Sequence, residues 1–265
     1  MTGRSAARRL RVAILGNSVP LLVIPPRQRR SEGSYPEVLE ERLRDAGFDA
    51  TVTNRSRLFD LIHEGSRRYG AEIAPLHPDV VIFNYGVLEL QPNVLPTALN
   101  RHLSKEIPGG RGLRRLWYHA AVPRLWPLAR GWQRWASAKV GLRSWRLPPA
   151  RFVAELDNLV RIARSTRALV LVVDVHEPGP RLDHFMPGIT ARWRRFEEEL
   201  ERFVASYQDP DVRLVRVSDI VDSLPGEGTA DGLHLTVTAH ARLGERLAAE
   251  VEEFMQKPES SADTA

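Results

Sequence analysis

The chain contains no cysteine in its 265 residues. This absence excludes disulfide bonds, thiolate zinc sites and cysteine nucleophiles, and it fits a protein of the reducing cytoplasm. Long apolar runs are also missing, since none approaches the roughly 18 to 20 residues that a membrane-spanning helix needs. The apolar stretch near the start is interrupted at Gly16, Pro20 and Pro25, which is atypical of a signal peptide. We therefore expect a soluble, cytoplasmic protein.

Acidic residues are scarce in one segment. Between Arg101 and Arg151, 12 lysines and arginines stand against the single acid Glu106, a net charge of +11 in a chain whose total is +5. The same segment holds five of the six tryptophans: Trp117, Trp126, Trp132, Trp135 and Trp145. One interpretation is a lid over a substrate pocket whose outer arginines bind an acidic carrier protein or an anionic membrane surface. The other is an aromatic helix side that packs on the core. No nucleic-acid-binding motif accompanies the basic residues, so we expect no nucleic acid partner.

Apolar runs and amphipathic segments alternate along the chain, which predicts a parallel β-sheet with crossover helices. Strands are predicted over residues 11–15, 51–54, 79–84, 169–175 and 212–217, and helices over 34–46, 57–69, 152–165, 191–207 and 238–255. Residues 89–149 interrupt this alternation with Pro92, Pro96, Pro108, Pro123 and Pro127, and they are expected to form an insertion broken into short pieces. We expect one α/β domain over residues 1–256 that includes this insertion, followed by a disordered tail at 257–265.

Two polar motifs follow strands at opposite ends of the chain. Gly16-Asn17-Ser18 follows the first predicted strand, and Asp231-Gly232-Leu233-His234 follows the fifth. Because the carboxyl ends of parallel strands share one edge of a sheet, these residues are expected to lie close together. A serine hydroxyl needs a base to remove its proton, and an imidazole needs a carboxylate to fix its tautomer. The motifs therefore predict a Ser-His-Asp site for acyl transfer.

These two motifs, with the following His240 and the five-stranded alternation, resemble the SGNH or GDSL hydrolase superfamily. The resemblance covers residues 11–88 and 150–255. It implies a three-layer α/β/α flavodoxin-like sandwich with a five-stranded parallel sheet and a helical insertion after strand three. It also implies hydrolysis or transfer of an acyl group on a small-molecule or carrier-bound ester or thioester, without a cofactor. Ser18 would be the nucleophile, His234 the base and Asp231 the residue that orients it.

The chain departs from the family pattern where the oxyanion donors are expected. Asn17 replaces the aspartate of the first motif, and Leu88 stands where an asparagine follows strand three. Phe59 falls near the glycine of the second motif. Asn17 and Asn84 are the remaining side-chain amides that we predict as oxyanion or substrate contacts. The alternative is a catalytically weak scaffold that binds an acyl or glycosyl ligand or a partner protein.

Two further histidines lie near the predicted edge. His176 follows strand four and is expected to line the pocket, although Asp174, His176 and Glu177, with Asp183 and His184 soon after, also permit a metal site. A third ligand with diagnostic spacing is missing, so we expect no metal. His240 lies in the first turn of the last predicted helix, where packing or capping is the favoured role.

Overall fold

Five parallel strands form the central sheet. The computed structural model describes residues 8–24, 28–29, 33–92 and 122–257. In chain order the strands are β1 (Arg9–Gly16), β2 (Val23–Ile24), β3 (Gln28–Arg29), β4 (Asp49–Asn54), β5 (Val80–Asn84), β6 (Leu169–Val173) and β7 (Val212–Val215). The sheet has the order β4-β1-β5-β6-β7, while β2 and β3 pair antiparallel as a separate ribbon.

The strand order fixes where a ligand can bind. From β1 the chain crosses to β4 on one side of β1 and returns to β5 on its other side. The loops that follow β1 and β5 therefore diverge, which opens a crevice at the carboxyl edge of the sheet. Gly16 at the end of β1 lies opposite Asn84 at the end of β5. The loop that carries Ser18 and the predicted contact Asn84 therefore both lie at that crevice.

Helices cover both faces of the sheet. They are α1 (Tyr35–Asp45), α2 (Ile62–Glu72), α3 (Val122–Val140), α4 (Pro149–Ser165), α5 (Pro180–Phe185), α6 (Ile189–Ser206), α7 (Val217–Asp222) and α8 (Val237–Gln256). Helix α1 packs on α8, whereas α2 packs on α4 and α4 on α6. Every residue of β5 and β6 is buried between these layers, as a parallel sheet covered on both faces requires. The predicted α/β/α sandwich is confirmed.

Helix α2 begins five residues later than the sequence indicates. Residues 57–60 form a turn in which the Asp60 amide donates to the Arg57 carbonyl at 3.3 Å. Leu61 is extended, and its amide donates to the Glu64 carboxylate at 3.0 Å. This cap by the Glu64 side chain starts the helix at Ile62, after the chain bends through a positive φ at Phe59.

The expectation that prolines break the whole insertion into short pieces is wrong for residues 122–140, which form the 19-residue helix α3. Pro123 lies in the first turn, where the backbone amide has no helical partner in any case. Pro127 then removes a single backbone hydrogen bond from a helix that continues for more than three further turns. Residues 93–121, with Trp117, and residues 258–265 of the predicted tail lie outside the described ranges.

Strands β6 and β7 both end two residues earlier than predicted. The Asp174 carboxylate accepts hydrogen bonds from the Val217 amide and, at 2.9 Å, from the Ser218 hydroxyl. These bonds turn the chain after β7 into the short helix α7 instead of extending the ladder. Within the described ranges, no helix combines the length and the apolarity that a bilayer span requires.

Candidate active site

The loop after β1 presents Ser18 at the carboxyl edge of the sheet. The backbone amide of Asn17 donates to the backbone carbonyl of Asn84 at 3.3 Å, which holds the loop against the end of β5. The Leu21 amide donates to the Ser18 carbonyl at 3.1 Å, and Val19–Leu21 forms one 3-10 turn. Ser18 is 9% exposed, and no hydrogen bond to the described residues engages its hydroxyl. A serine held in this way offers a free hydroxyl at the crevice.

Asp231 and His234 form a hydrogen-bonded pair on the loop before α8. Oδ2 of Asp231 lies 2.9 Å from Nδ1 of His234, and Oδ1 accepts the backbone amides of Leu233 at 3.0 Å and His234 at 2.8 Å. Burial opposes ionisation of Asp231, but its bonds to His234 outweigh burial and lower its pKa to about 2. The carboxylate therefore assigns the proton to Nδ1 and leaves Nε2 as the basic nitrogen.

The segment between β6 and α5 packs against the loop that carries this pair. Gly232 lies between Asp231 and Leu233 with a φ of +83°, and its carbonyl accepts the Gly179 amide at 3.1 Å. A Cβ on Gly232 would lie 3.3 Å from the Cα of Gly179, so only glycine permits both the turn and the contact. The segment between β6 and α5 thus fixes the loop that carries the histidine.

His176 lies on that same segment. Burial is the main cause that lowers its pKa to about 4, with a smaller contribution from the charge of His234, whereas a hydrogen bond to the Gly232 backbone raises it. The imidazole is 4% exposed, and its Nε2 atom is buried without a hydrogen-bond partner among the described residues. His176 is therefore neutral at physiological pH and close to the Asp231-His234 loop.

His240 and Tyr35 join the two sides of the crevice. Their rings stack with centroids 5.8 Å apart, and Nδ1 of His240 accepts the Tyr35 amide at 3.3 Å. The Tyr35 hydroxyl reaches Oδ1 of Asn84 at 3.5 Å. Burial and then the charge of His234 lower the pKa of His240 to about 4. A continuous set of neighbours thus runs from His234 through His240 and Tyr35 to the loop of Ser18. Tyr35 was not singled out from the sequence, where its neighbour Pro36 indicates only a helix start.

The loop after β5 is held by a buried carboxylate. Glu89 accepts the amides of Ile62 and Gly86, each at 2.9 Å. Burial raises the pKa of Glu89 to about 7, against the lowering effect of these amides. Gly86 has a φ of +121°, and a Cβ there would lie 2.6 Å from a methyl group of Val175. Leu88 is 5% exposed, and its apolar side chain has no donor to offer to an oxyanion.

Phe59 adopts the backbone conformation of a glycine. Its φ is +60°, which costs a bulky residue about 1–2 kcal/mol. This is the residue that aligns near the family's second-motif glycine. Among the described residues no hydrogen bond engages its backbone amide. The sequence shows the residue type but not the strained backbone, which becomes visible only in the structure.

A pair of buried carboxyl groups lies behind the site. Glu197 of α6 is 7% exposed and Asp174 is 2% exposed. Burial, followed by the charge of Asp174, raises the pKa of Glu197, and burial also raises the pKa of Asp174. The nearest cation is Arg216, whose Nη1 lies 3.8 Å from Oε1 of Glu197. Sequence reasoning did not identify Glu197, because an acid on an amphipathic helix usually faces solvent.

No group of three or more His, Cys, Asp or Glu side chains in the described parts of the chain is arranged to hold a metal ion.

The sequence matches no protein-family model and no curated protein.

Solved structures nevertheless share this architecture. A lipase/acylhydrolase from Enterococcus faecalis superimposes with a TM-score of 0.62 at 14% identity, over 92% of this chain and 96% of that one. A GDSL-like lipase from Bacteroides thetaiotaomicron gives 0.53 at 12% identity, over 92% and 87% of the two chains. A catalytic mutant of the acetylxylan esterase Axe2 from Geobacillus stearothermophilus gives 0.57 at 11% identity, over 92% and 95%.

The chain has the fold of these esterases and lipases. The resemblance to the SGNH or GDSL hydrolases is therefore confirmed at the level of the fold, at 11–14% sequence identity to these structures. Of the basic segment 101–151, the structure describes residues 122–151, which include α3.

Proposed function

We propose that the protein is a serine-dependent acyl hydrolase or acyltransferase in which Ser18 is the nucleophile, His234 the base and Asp231 the residue that orients the imidazole. The observation that carries the proposal is the 2.9 Å contact between Asp231 and His234, on the edge where the loop after β1 presents Ser18. The fold shared with esterases and lipases supports the same chemistry.

The reaction would proceed by double displacement. Nε2 of His234 removes the proton from Oγ of Ser18, and Oγ attacks the carbonyl carbon of an ester or thioester. The tetrahedral intermediate then expels the alcohol or thiol, which takes its proton from His234. Water or an acceptor alcohol, deprotonated in turn by His234, attacks the acyl-enzyme and releases Ser18. These steps need no cofactor.

The oxyanion would be stabilised mainly by backbone amides. The amides of Ser18 and Phe59 are both without partners among the described residues. Nδ2 of Asn17 is buried without a partner among the described residues, and Asn84 accepts the Tyr35 hydroxyl on Oδ1, which leaves its Nδ2 group able to donate. Asn17 and Asn84 are thus both candidate side-chain donors in place of the asparagine that Leu88 replaces.

The apolar Leu88 at the position of an expected oxyanion donor supports a second candidate function, that of a catalytically weak scaffold that binds an acyl or glycosyl ligand. Loss of one oxyanion donor costs about 2.7–4 kcal/mol of transition-state stabilisation in a well-studied serine protease. A chain that lacked two donors without replacement would bind an ester without turning it over.

A burst experiment distinguishes the two candidates. On mixing with p-nitrophenyl acetate, the enzyme should release about one equivalent of p-nitrophenol before steady turnover, and a fluorophosphonate should add one mass increment to the intact chain. Both signals should disappear in Ser18→Ala and persist in the control Ser223→Ala, which removes an exposed hydroxyl on another loop. Absence of any Ser18-dependent burst or adduct would support the ligand-binding scaffold.

A further inference from the structure

Exposed apolar side chains are concentrated at one place on the described surface. Six large hydrophobic residues are exposed in the described parts of the chain, and four of them lie within one short stretch: Leu128 at 71%, Trp132 at 47%, Trp135 at 60% and Leu142 at 42%. The spacing from Leu128 to Trp132 and Trp135 is four and then three residues, which places all three on one face of α3. We call Leu128, Trp132 and Trp135 the apolar stripe of α3.

Packing fixes the direction in which this stripe faces. Ser137 is buried on the opposite side of the helix, Ala136 is buried on the flank of the stripe, and α3 contacts α5. At the end of α3 the buried Arg192 guanidinium donates to the Gly141 carbonyl. Since α5 follows the segment that carries His176, the helix is anchored near the carboxyl edge of the sheet, with its stripe in solvent.

Basic side chains accompany the stripe without acidic partners. Arg134, Lys139 and Arg143 are exposed, and within the described residues none of them forms an ion pair. Glu106 is the single acid of the whole segment 101–151. Elsewhere on the described surface, exposed arginines are commonly paired, as Arg161 is with Asp157 and Arg202 with Glu199. The surface of α3 therefore has uncompensated positive charge next to exposed indole and leucine side chains.

We propose that this face of α3 binds an anionic lipid membrane surface. An amphipathic helix with Trp and Leu on one side and Lys or Arg beside them lies in the plane of the lipid interface, where indoles sit at headgroup level. Anionic headgroups attract the basic side chains, and the stripe enters the acyl boundary. An acidic protein would also satisfy these charges, and retention on an acidic polymer separates that occupant from a membrane. The proposal does not depend on catalysis, because Ser18 takes no part in binding.

Flotation with phosphatidylcholine vesicles that contain about 30% phosphatidylglycerol tests the proposal with the full-length protein. Binding is expected, with a blue shift of tryptophan emission, and it should weaken at high salt, which shortens the Debye length. Trp132→Ser/Trp135→Ser and Arg134→Glu/Lys139→Glu should each weaken binding by roughly tenfold or more. Ser18→Ala should bind as the unmodified protein does, which separates this result from that of the burst experiment.

Two matched controls replace exposed residues on other helices. Ile162→Ser/Val237→Ser removes apolar side chains that are 40% and 44% exposed, and Arg161→Glu/Arg202→Glu reverses two charges on α4 and α6. Both should bind vesicles normally, and circular dichroism should show that all four variants are folded. Equal binding to pure phosphatidylcholine, or equal losses in the controls, would overturn the proposal. Retention on poly-L-glutamate without binding to vesicles would assign the face to an acidic protein instead.

Discussion

At the scale of single residues, the crevice contains both satisfied and unsatisfied polar groups. Both oxygens of Asp231 are hydrogen-bonded, whereas Nδ2 of Asn17 and Nε2 of His176 are buried without partners among the described residues. A buried polar group without a partner costs about 1–3 kcal/mol. A bound ligand that reached these two groups would recover part of that cost.

The first prediction concerns the orientation of His234. Asp231→Asn keeps the shape of the side chain but presents an amide where Nδ1 now has an acceptor, so the wrong imidazole tautomer is favoured. We expect turnover of p-nitrophenyl acetate to fall by about 10²- to 10⁴-fold while the circular dichroism spectrum is unchanged. The exposed Asp219→Asn on α7 serves as the control. Full activity of Asp231→Asn would remove Asp231 from the proposed mechanism.

The second prediction concerns the free amide of Asn17. Asn17→Ala should lower kcat by roughly ten- to a thousandfold with little change in KM, because an oxyanion donor acts mainly in the transition state. Phe59→Gly, in contrast, relieves the strain of a positive φ and keeps the backbone amide, so it should retain turnover. A loss of kcat in Phe59→Gly that matches the loss in Asn17→Ala would point to a role of the phenyl ring instead.

The sequence was sufficient to propose Ser18, Asp231 and His234, because each belongs to a short motif beside a predicted strand. The partners of these residues were not predictable. The stacking of Tyr35 on His240 joins residues 205 positions apart, and nothing local marks it. The positive φ of Phe59 was also hidden, since a bulky residue rarely adopts it.

At the scale of elements, Glu89 joins two parts of the site. Its carboxylate binds the first amide of α2 through Ile62 and the loop after β5 through Gly86. Arg146 lies near enough for its charge to favour the carboxylate, although burial lowers the pKa of Arg146. One fully buried side chain therefore sets the position of the loop that holds Leu88.

The third prediction tests this connection. Glu89→Gln replaces one acceptor oxygen with an amide donor, which then faces a backbone N–H. The free energy of unfolding at pH 8, measured with urea, should fall by about 1–3 kcal/mol. Glu41→Gln, on the exposed side of α1, should change it little. An unchanged stability of Glu89→Gln would mean that the two amides find other acceptors.

Element boundaries were predicted well where hydrophobic periodicity decides them and poorly where single hydrogen bonds do. Strand β5 begins within one residue of its predicted start and is buried on both faces, whereas β1 and β4 each begin two residues earlier than predicted. The ends of β6 and β7 depend on the bonds of Asp174 to Val217 and Ser218, which join distant parts of the chain. The length of α3 is not predicted by the number of prolines in residues 89–149, because Pro123 lies in the first turn of the helix and Pro127 removes only one backbone hydrogen bond.

At the scale of the whole molecule, stability should depend on pH through buried carboxyl groups. Burial raises the pKa values of Glu89, Asp174 and Glu197. In the unfolded chain the same groups ionise at their ordinary pKa values. At a pH between these values and the raised ones, the folded protein therefore holds more protons than the unfolded chain. Below the pKa values of the unfolded chain, these groups make their full contribution to the free energy of unfolding. This contribution is lost as the pH rises through the raised pKa values of the folded protein.

The last prediction isolates one of these groups. The pKa of Glu197 is raised from 4.5 to about 8, so the free energy of unfolding should decline from about pH 5 to pH 8. Glu197→Gln mimics the protonated side chain beside Asp174, and it should flatten this decline and stabilise the protein at pH 8. Some slope should remain because Glu89 still titrates. The neighbouring exposed Glu198→Gln should keep the full decline. Parallel urea profiles of Glu197→Gln and the unmodified protein across pH 5 to 8 would show that Glu197 holds no extra proton in the fold.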